Sequence, residues 1–410
     1  MANDVKTIIV GAGAAGMNAA LELQKAGEPY LVITDDVGGR IHNDEDLHMN
    51  YGAVFFFGSY HHMLDPEKNI IQPTVDVVPS LLQAAGNDGG KQWAAISLKT
   101  LGDLPSLWRY MKWMRTTFLP HYESFKKDCE TMQVSAALAK DPFMDKLYHQ
   151  SAADMIRELN VEPIARDLVS MFAHACTGTP PQKLSALDYL NCVQPLTLKL
   201  PSMKLVMCLT RFDFDKAGMT ERLGQGSGSI ELDKVTAVQQ LADGWQVQTE
   251  GGATRSCDNL ILATPADITA SLLAPVQAVP AIEVRNASVL YAYLLDAKIK
   301  EHYSHHTVHI FNEKTPIIFI ARRNDGRYEI FTEVDFEADG GVRMDEYFDE
   351  WAVVGRKHWP KALFTNPNIV TDQNPAPGLI LAGDQNGLGM EPAAISGVYA
   401  ANKVLGKTVD

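Results

Sequence analysis

Near the N-terminus the pattern of apolar and small residues predicts a strand, a turn and a helix. Residues 5–10 form a short apolar run, Gly11-Ala12-Gly13-Ala14-Ala15-Gly16 follows, and a helical stretch with apolar positions Met17, Leu21 and Leu23 continues to about residue 26 before Gly27 ends it. Residues 30–34 read as a second strand, completing one βαβ unit in about thirty residues. Residues 99–222 change to long helical stretches rich in Trp, Met, Tyr and Phe. Within them Leu107, Tyr110, Met111, Met114 and Phe118 repeat at helical spacing beside Trp108 and Trp113. That face reads first as core, and second as the wall of a lipid-shaped tunnel or a membrane contact. Strands return at 230–238, 245–249 and 259–263, and a β-rich block at 288–335 contains runs at 289–295, 307–311, 316–321 and 328–334. The chain then reads as a strand at 379–382, a glycine-containing loop and a helix at 393–405. No repeat or low-complexity linker separates these parts, which predicts interleaved rather than serial domains.

Charge and cysteine usage narrow the function. The 410 residues carry 36 basic and 50 acidic side chains, a net charge of -14 with no basic block, which excludes nucleic acid and anionic membrane surfaces as expected partners. The five cysteines, Cys129, Cys176, Cys192, Cys208 and Cys257, form no CxxC, so a zinc ribbon, a thioredoxin-type pair and a disulfide framework lack support. A reducing, cytoplasmic setting is expected. No run of 18 apolar residues is present, so no transmembrane segment is expected. His302, His305, His306 and His309 lack a carboxylate constellation apart from Glu301 and read as solvated loop imidazoles, with no metal site.

The first turn carries the chemistry. Gly11 permits a tight turn, Gly13 lets a pyrophosphate approach the backbone, and Gly16 lets helix and strand pack, while the helix N-terminus, with Ala14 and Ala15 in its first turn, offers free N–H groups to phosphates. Four residues after the second strand, Gly38-Gly39-Arg40 brings more backbone and a cation to the same diphosphate. Here the sequence resembles the flavin-containing amine oxidase, protoporphyrinogen oxidase and phytoene desaturase superfamily, whose first motif ends in GGR. Asn50-Tyr51-Gly52-Ala53, continued by Val54, is similar to the stretch beneath the flavin ring, with Asn50 in place of an acid. Residues 230–238 resemble the strand that contacts adenine through a valine, which maps to Val235. Asn259 to Pro265 resembles the strand and turn, Ala263-Thr264-Pro265, that return the chain to the flavin. Gly383-Asp384 and the element from Pro392 through Ala393, Ala394 and Ile395 to Ala401 are similar to the last flavin motif, whose helix points its N-terminus at the flavin pyrimidine edge. The ribose-binding acid of the family falls on Thr34, with Asp35 directly after it; either Asp35 or the Thr34 hydroxyl makes the contact.

The resemblance implies an α/β fold with a doubly wound, Rossmann-like FAD-binding domain from segments 1–75, 223–270 and 370–410. An interleaved mixed α+β substrate domain is expected from segments 76–222 and 271–369, its helical part at about 100–222. FAD is expected to bind without a covalent link, and no catalytic acid or base is assigned. Amine-oxidising members place a lysine after the ATP turn and an aromatic cage near the last motif. Residues 286–293 contain no lysine and residues 384–391 no Trp or Tyr. The expected activity is therefore hydride removal from a hydrophobic small molecule, giving desaturation or double-bond isomerisation. The alternatives are an amine or amino-acid oxidase releasing peroxide, with Arg211 or Arg322 as a basic anchor, and an accessory flavoprotein that oxidises a side chain of a partner protein.

Overall fold

The first apolar run forms β1 (Val5–Ala12), in which Ile8 and Ile9 are fully buried, as expected of a central parallel strand covered on both faces. The structure is a computed structural model that describes residues 4–41, 43, 44, 46, 47, 49–54, 56–77, 84–87, 91–94, 97–194, 198, 199, 204, 205, 210–338, 341–365 and 369–409. Helix α1 (Ala14–Lys25) follows, and β2 (Tyr30–Val37) pairs in parallel with β1. The other flank of β1 pairs in parallel with Thr254–Leu262, which takes the late strand Leu379–Leu381 beside its second half. Beyond its first half, Gly244–Thr249 and Val235–Leu241 add an antiparallel meander, and Gly228–Leu232 pairs in parallel with β2. This doubly wound sheet thus draws on three remote stretches of the chain.

The expected continuous strand at 230–238 is divided. Asp233 accepts the backbone N–H groups of Lys234 and Gly251, a turn that carries the chain from the parallel edge into the meander. Strand β2 also runs three residues past its expected end, which matters for the ribose contact below.

A second seven-stranded sheet is ordered Phe348–Thr365, Asn286–Ile299, Tyr328–Thr332, Ile317–Arg322, Val308–Phe311, Ala84–Asn87 and Gln92–Ala94. Tyr293, Leu295, Ile320 and Ile330 form a core on one of its faces, while Ala292, Leu294, Phe319 and Phe331 project from the other towards Tyr51. The Leu107–Phe118 face is core, the first of its two readings, and not a tunnel wall. Tyr110, Met111, Met114 and Phe118 are buried in the main apolar cluster, Trp113 stacks on Phe118 with ring centroids 6.2 Å apart, and Trp108 is 66% exposed. Among the described residues no helix is long and apolar enough to cross a membrane.

His302 and His305 are exposed, but His309 is not a solvated loop imidazole. It sits on Val308–Phe311 between two neighbouring strands, is fully buried, and its Nε2 lies 3.0 Å from the Tyr303 carbonyl. Desolvation pulls its pKa down to about 4, with the His306 and His302 charges acting in the same direction. The unfolded chain therefore binds a proton that the folded chain refuses between about pH 6.5 and 4. Stability falls as pH drops through that window, by up to about 3 kcal/mol from this group. Urea midpoints across the window will show the slope, and His309→Gln will flatten it.

Candidate functional site

Where the C-terminal ends of β1 and β2 meet the first turn of α1, the start of helix Met390–Val404 and the inner face of the second sheet, a cavity of about 610 Å³ opens. Its floor is shaped by glycines with separate requirements. Gly11 has φ +96°, and an added Cβ would lie 2.8 Å from the Ala263 carbonyl oxygen. At Gly16 a Cβ would lie 1.9 Å from the Gly11 carbonyl oxygen, so this glycine fixes how α1 seats on β1 and does not itself line the cavity. Gly13 differs from both. Its φ of -80° suits any residue, and an added Cβ would meet only the Gly39 Cα, 4.0 Å away. Neither strain nor packing demands glycine there, whereas a ligand lying against the backbone does. No side chain caps the start of α1 and no acid occupies its first turn, leaving its N–H groups to an anion. The cradle therefore fits the diphosphate of the expected FAD.

The end of β2 separates the two ribose candidates. The Thr34 hydroxyl accepts from the Ala12 N–H and donates to the Asp36 carbonyl. Asp36 pairs with Lys216. Asp35, exposed and lining the cavity, has no partner among the described residues. Nearby, Ala53 N–H bonds to the Arg40 carbonyl, and a Cβ at Gly52 would lie 2.0 Å from that same oxygen, so the two early motifs are locked together.

Arg40 is not a free cation for a diphosphate. Its guanidinium grips both Asp384 oxygens at 2.7 and 2.8 Å and also donates to the Ala362 carbonyl at 2.9 Å. The pair joins the first glycine motif to the last one. The final helix starts at Met390, after Gly389 at φ +107°, so Pro392 lies inside its first turn rather than opening it. Proline is tolerated there because those N–H groups have no intrahelical partner. Glu391 is buried, and its carboxylate accepts the N–H groups of His61, His62 and Met63 at 2.5, 2.9 and 3.1 Å. Gly397, midway along this helix, sits so close to α1 that a Cβ would lie 2.0 Å from the Ala15 carbonyl oxygen, so the last helix packs directly on the start of α1.

Gly11, Gly13, Ala14, Ala15, Thr34, Asp35, Gly38, Gly39, Arg40, Gly52, Ala53, Val54, Val235, Ala263, Thr264, Pro265, Gly383, Asp384 and Ala393 all line this one cavity. Ala394 and Ile395 are buried on the helix and, with Pro392, lie outside it; Pro392 and Ile395 instead border a separate small pocket.

Further lining comes from outside the glycine motifs. Phe57, Tyr60, Leu290, Phe319, Phe331, Trp359 and Leu363 form an apolar end. Trp359 Nε1 is satisfied by the Tyr51 carbonyl at 2.9 Å, and burial pushes the Tyr51 phenol up to about 12. Cys176 and Cys192, from helices Ser170–Thr177 and Ala186–Val193, also line the cavity, and a hydrogen bond to Cys176 together with burial holds the Cys192 thiol well above its ordinary range. Their spacing of 16 residues gave no sign of this contact; it depends on how the two helices pack. Lys357 is the third lining residue that the sequence does not signal. It lies opposite Ala292 in the antiparallel pairing, outside residues 286–293, where a lysine was sought. Arg322 is exposed and does not line the cavity, and the Arg211 side chain lies outside the described residues, as does Cys208. Among the described residues no cluster of three metal-ligating side chains occurs.

Residues 14–295 match the family model of flavin-containing amine oxidoreductases. The fold is similar to that of a CLA-producing fatty acid isomerase from P. acnes, with TM-score 0.71, 13% identity and 100% of both chains covered. It is also similar to putrescine oxidase bound to putrescine, with TM-score 0.67, 14% identity, and 98% of this chain and 99% of that chain covered. Cyclohexylamine oxidase from Brevibacterium oxydans IH-35A gives TM-score 0.63 at 13% identity, with 98% of each chain covered. No curated protein matches the sequence. At such identities the structural likenesses speak to the fold.

Proposed function

Because the chain belongs to the flavin-containing amine oxidoreductase family and is an FAD-dependent oxidoreductase, we propose that it removes hydride from a C–H bond of a hydrophobic small molecule, with desaturation or double-bond isomerisation as the outcome. One observation carries this reading: the cavity end on the second sheet is mainly apolar, with Lys357 as its charged group, and among the described residues it offers no carboxylate to an ammonium group. The acids that line the cavity are Asp35, Asp36, Asp233 and Asp384. The first two lie at the end of β2, the third in the turn after Gly228–Leu232, and the fourth is paired with Arg40. Structures sharing this fold include one named for fatty acid isomerisation and others named for amine oxidation, so the fold itself does not choose. The lining does.

FAD, when bound, supplies the two-electron hydride acceptor. Gly13, Gly38 and Gly39 would let the backbone approach its diphosphate, the free N–H groups of α1 would meet the negative charge, and Asp35 would accept from the ribose hydroxyls. The aromatic and aliphatic end excludes water and orients the substrate carbon. Tyr51 and Cys192 are held in their neutral forms across the physiological range, so neither supplies a charge to the apolar end. The free cysteines support a reducing, cytoplasmic setting. We also read segments 1–75, 223–270 and 370–410 as the FAD-binding unit and segments 76–222 and 271–369 as the substrate unit.

Anaerobic mixing of the holoenzyme with linoleic acid, putrescine and cyclohexylamine tests the proposal. Bleaching of the flavin, or a shifted double bond in the recovered lipid, is expected with linoleic acid alone. Rapid peroxide release in air with simple primary amines or amino acids overturns it.

A further inference from the structure

Lys357 is out of keeping with its surroundings. It is half-buried on Phe348–Thr365, its ammonium lies 5.0 Å from the centre of the Trp359 ring, and it has no carboxylate partner among the described residues. Other cations on the same strand are paired: Arg356 with Glu337 and Lys361 with Asp267. Sheet register shows what it faces. Lys357 is opposite Ala292, Ala292 is opposite Phe331, and Phe331 is opposite Phe319, so the four side chains form one row across four adjacent strands on the inner face. At about 4.8 Å between strands the row is about 14 Å long. Ala292 is wholly covered and does not itself line the cavity, and the Phe319 and Phe331 rings stack at 4.6 Å. Lys357, Phe331 and Phe319 all line the cavity.

We infer that Lys357 anchors the carboxylate of an amphiphilic substrate whose hydrocarbon tail lies along Phe331 and Phe319. This rests on the hydrophobic-substrate reading above and adds to it a charged head, its position and a minimum reach for the tail. A half-buried cation on a cavity wall attracts an anionic head and repels an ammonium head. The cofactor diphosphate is not the anion in question. Arg40, next to Gly38-Gly39, meets this strand at the Ala362 carbonyl, five residues beyond Lys357.

Binding to the oxidised holoenzyme, read from perturbation of the flavin spectrum, tests the anchor with decanoate, 1-decanol and decylamine as probes. Decanoate is expected to bind at least tenfold more tightly than 1-decanol. Lys357→Met should remove that advantage while leaving 1-decanol affinity and FAD content unchanged, Lys357→Arg should keep most of it, and Lys357→Glu should turn the preference to decylamine. Unchanged decanoate affinity in Lys357→Met overturns the anchor. Equal binding of decanoate and 1-decanol by the native protein also overturns it while the hydrophobic-substrate reading stands. Binding of decylamine alone, or of none of the three, sinks both.

Discussion

Gly13→Val is expected to yield a folded protein that purifies without FAD. The φ of -80° and ψ of -169° at this position belong to the extended region that valine favours, and a Cβ there meets only the Gly39 Cα at 4.0 Å. The added methyl groups therefore enter the cradle rather than the protein core. They hold the diphosphate away from the N–H groups of α1, and the affinity for FAD should drop by at least about a hundredfold, or about 2.8 kcal/mol. Titration of the apoprotein with FAD will measure the loss, and far-ultraviolet circular dichroism will show the fold intact. Full retention of FAD by this variant would remove the cradle from the account. Gly16→Ala makes the contrast, because its Cβ would collide with the Gly11 carbonyl oxygen at 1.9 Å, and the variant should be unstable before any question of binding arises.

The second large effect concerns Arg40 and Asp384. Asp384 is almost wholly buried, and both its oxygens are held by the guanidinium. Arg40→Met leaves that carboxylate without its partner and should cost about 3–5 kcal/mol, seen as a lower urea midpoint at neutral pH. Replacing both, as Arg40→Met with Asp384→Leu, removes the orphaned charge and should recover most of the loss, because an apolar pair substitutes for a buried ion pair far better than half of one. A double variant no more stable than Arg40→Met would show that the pair's neighbours, the Ala362 carbonyl and the loop from Gly383, need the arginine itself. FAD affinity in the double variant then reports how closely the two motifs must be tied for the cofactor to bind.

The parts of this site that could be read from the chain are those whose requirement is local. Gly11 needs a positive φ, Gly13 a bare backbone and Gly16 a close contact within one turn, and each leaves its mark in six consecutive residues. The late motif at Gly383-Asp384 is legible through its likeness to the family's last flavin motif. What escaped depends on which distant segment lies alongside. That Asp384, 344 residues away, grips Arg40 is nowhere visible in Gly38-Gly39-Arg40. Lys357 is one of many surface-like lysines until strand register sets it across from Ala292. Cys176 and Cys192 meet only through helix packing, and His309 is buried because its strand is inserted between two others. The end of β2 was misjudged for a smaller reason. Asp35 and Asp36 have low strand propensity, yet the strand carries them on to Val37, whose side chain is buried.

The three-part origin of the first sheet sets an order of events during synthesis. Strand Leu379–Leu381 and the helix that presses Gly397 against Ala15 leave the ribosome hundreds of residues after β1 and α1. Until they arrive, the nascent βαβ unit lacks the strand and helix that complete its sheet and cradle, so coenzyme capture is expected only once this late segment has been made.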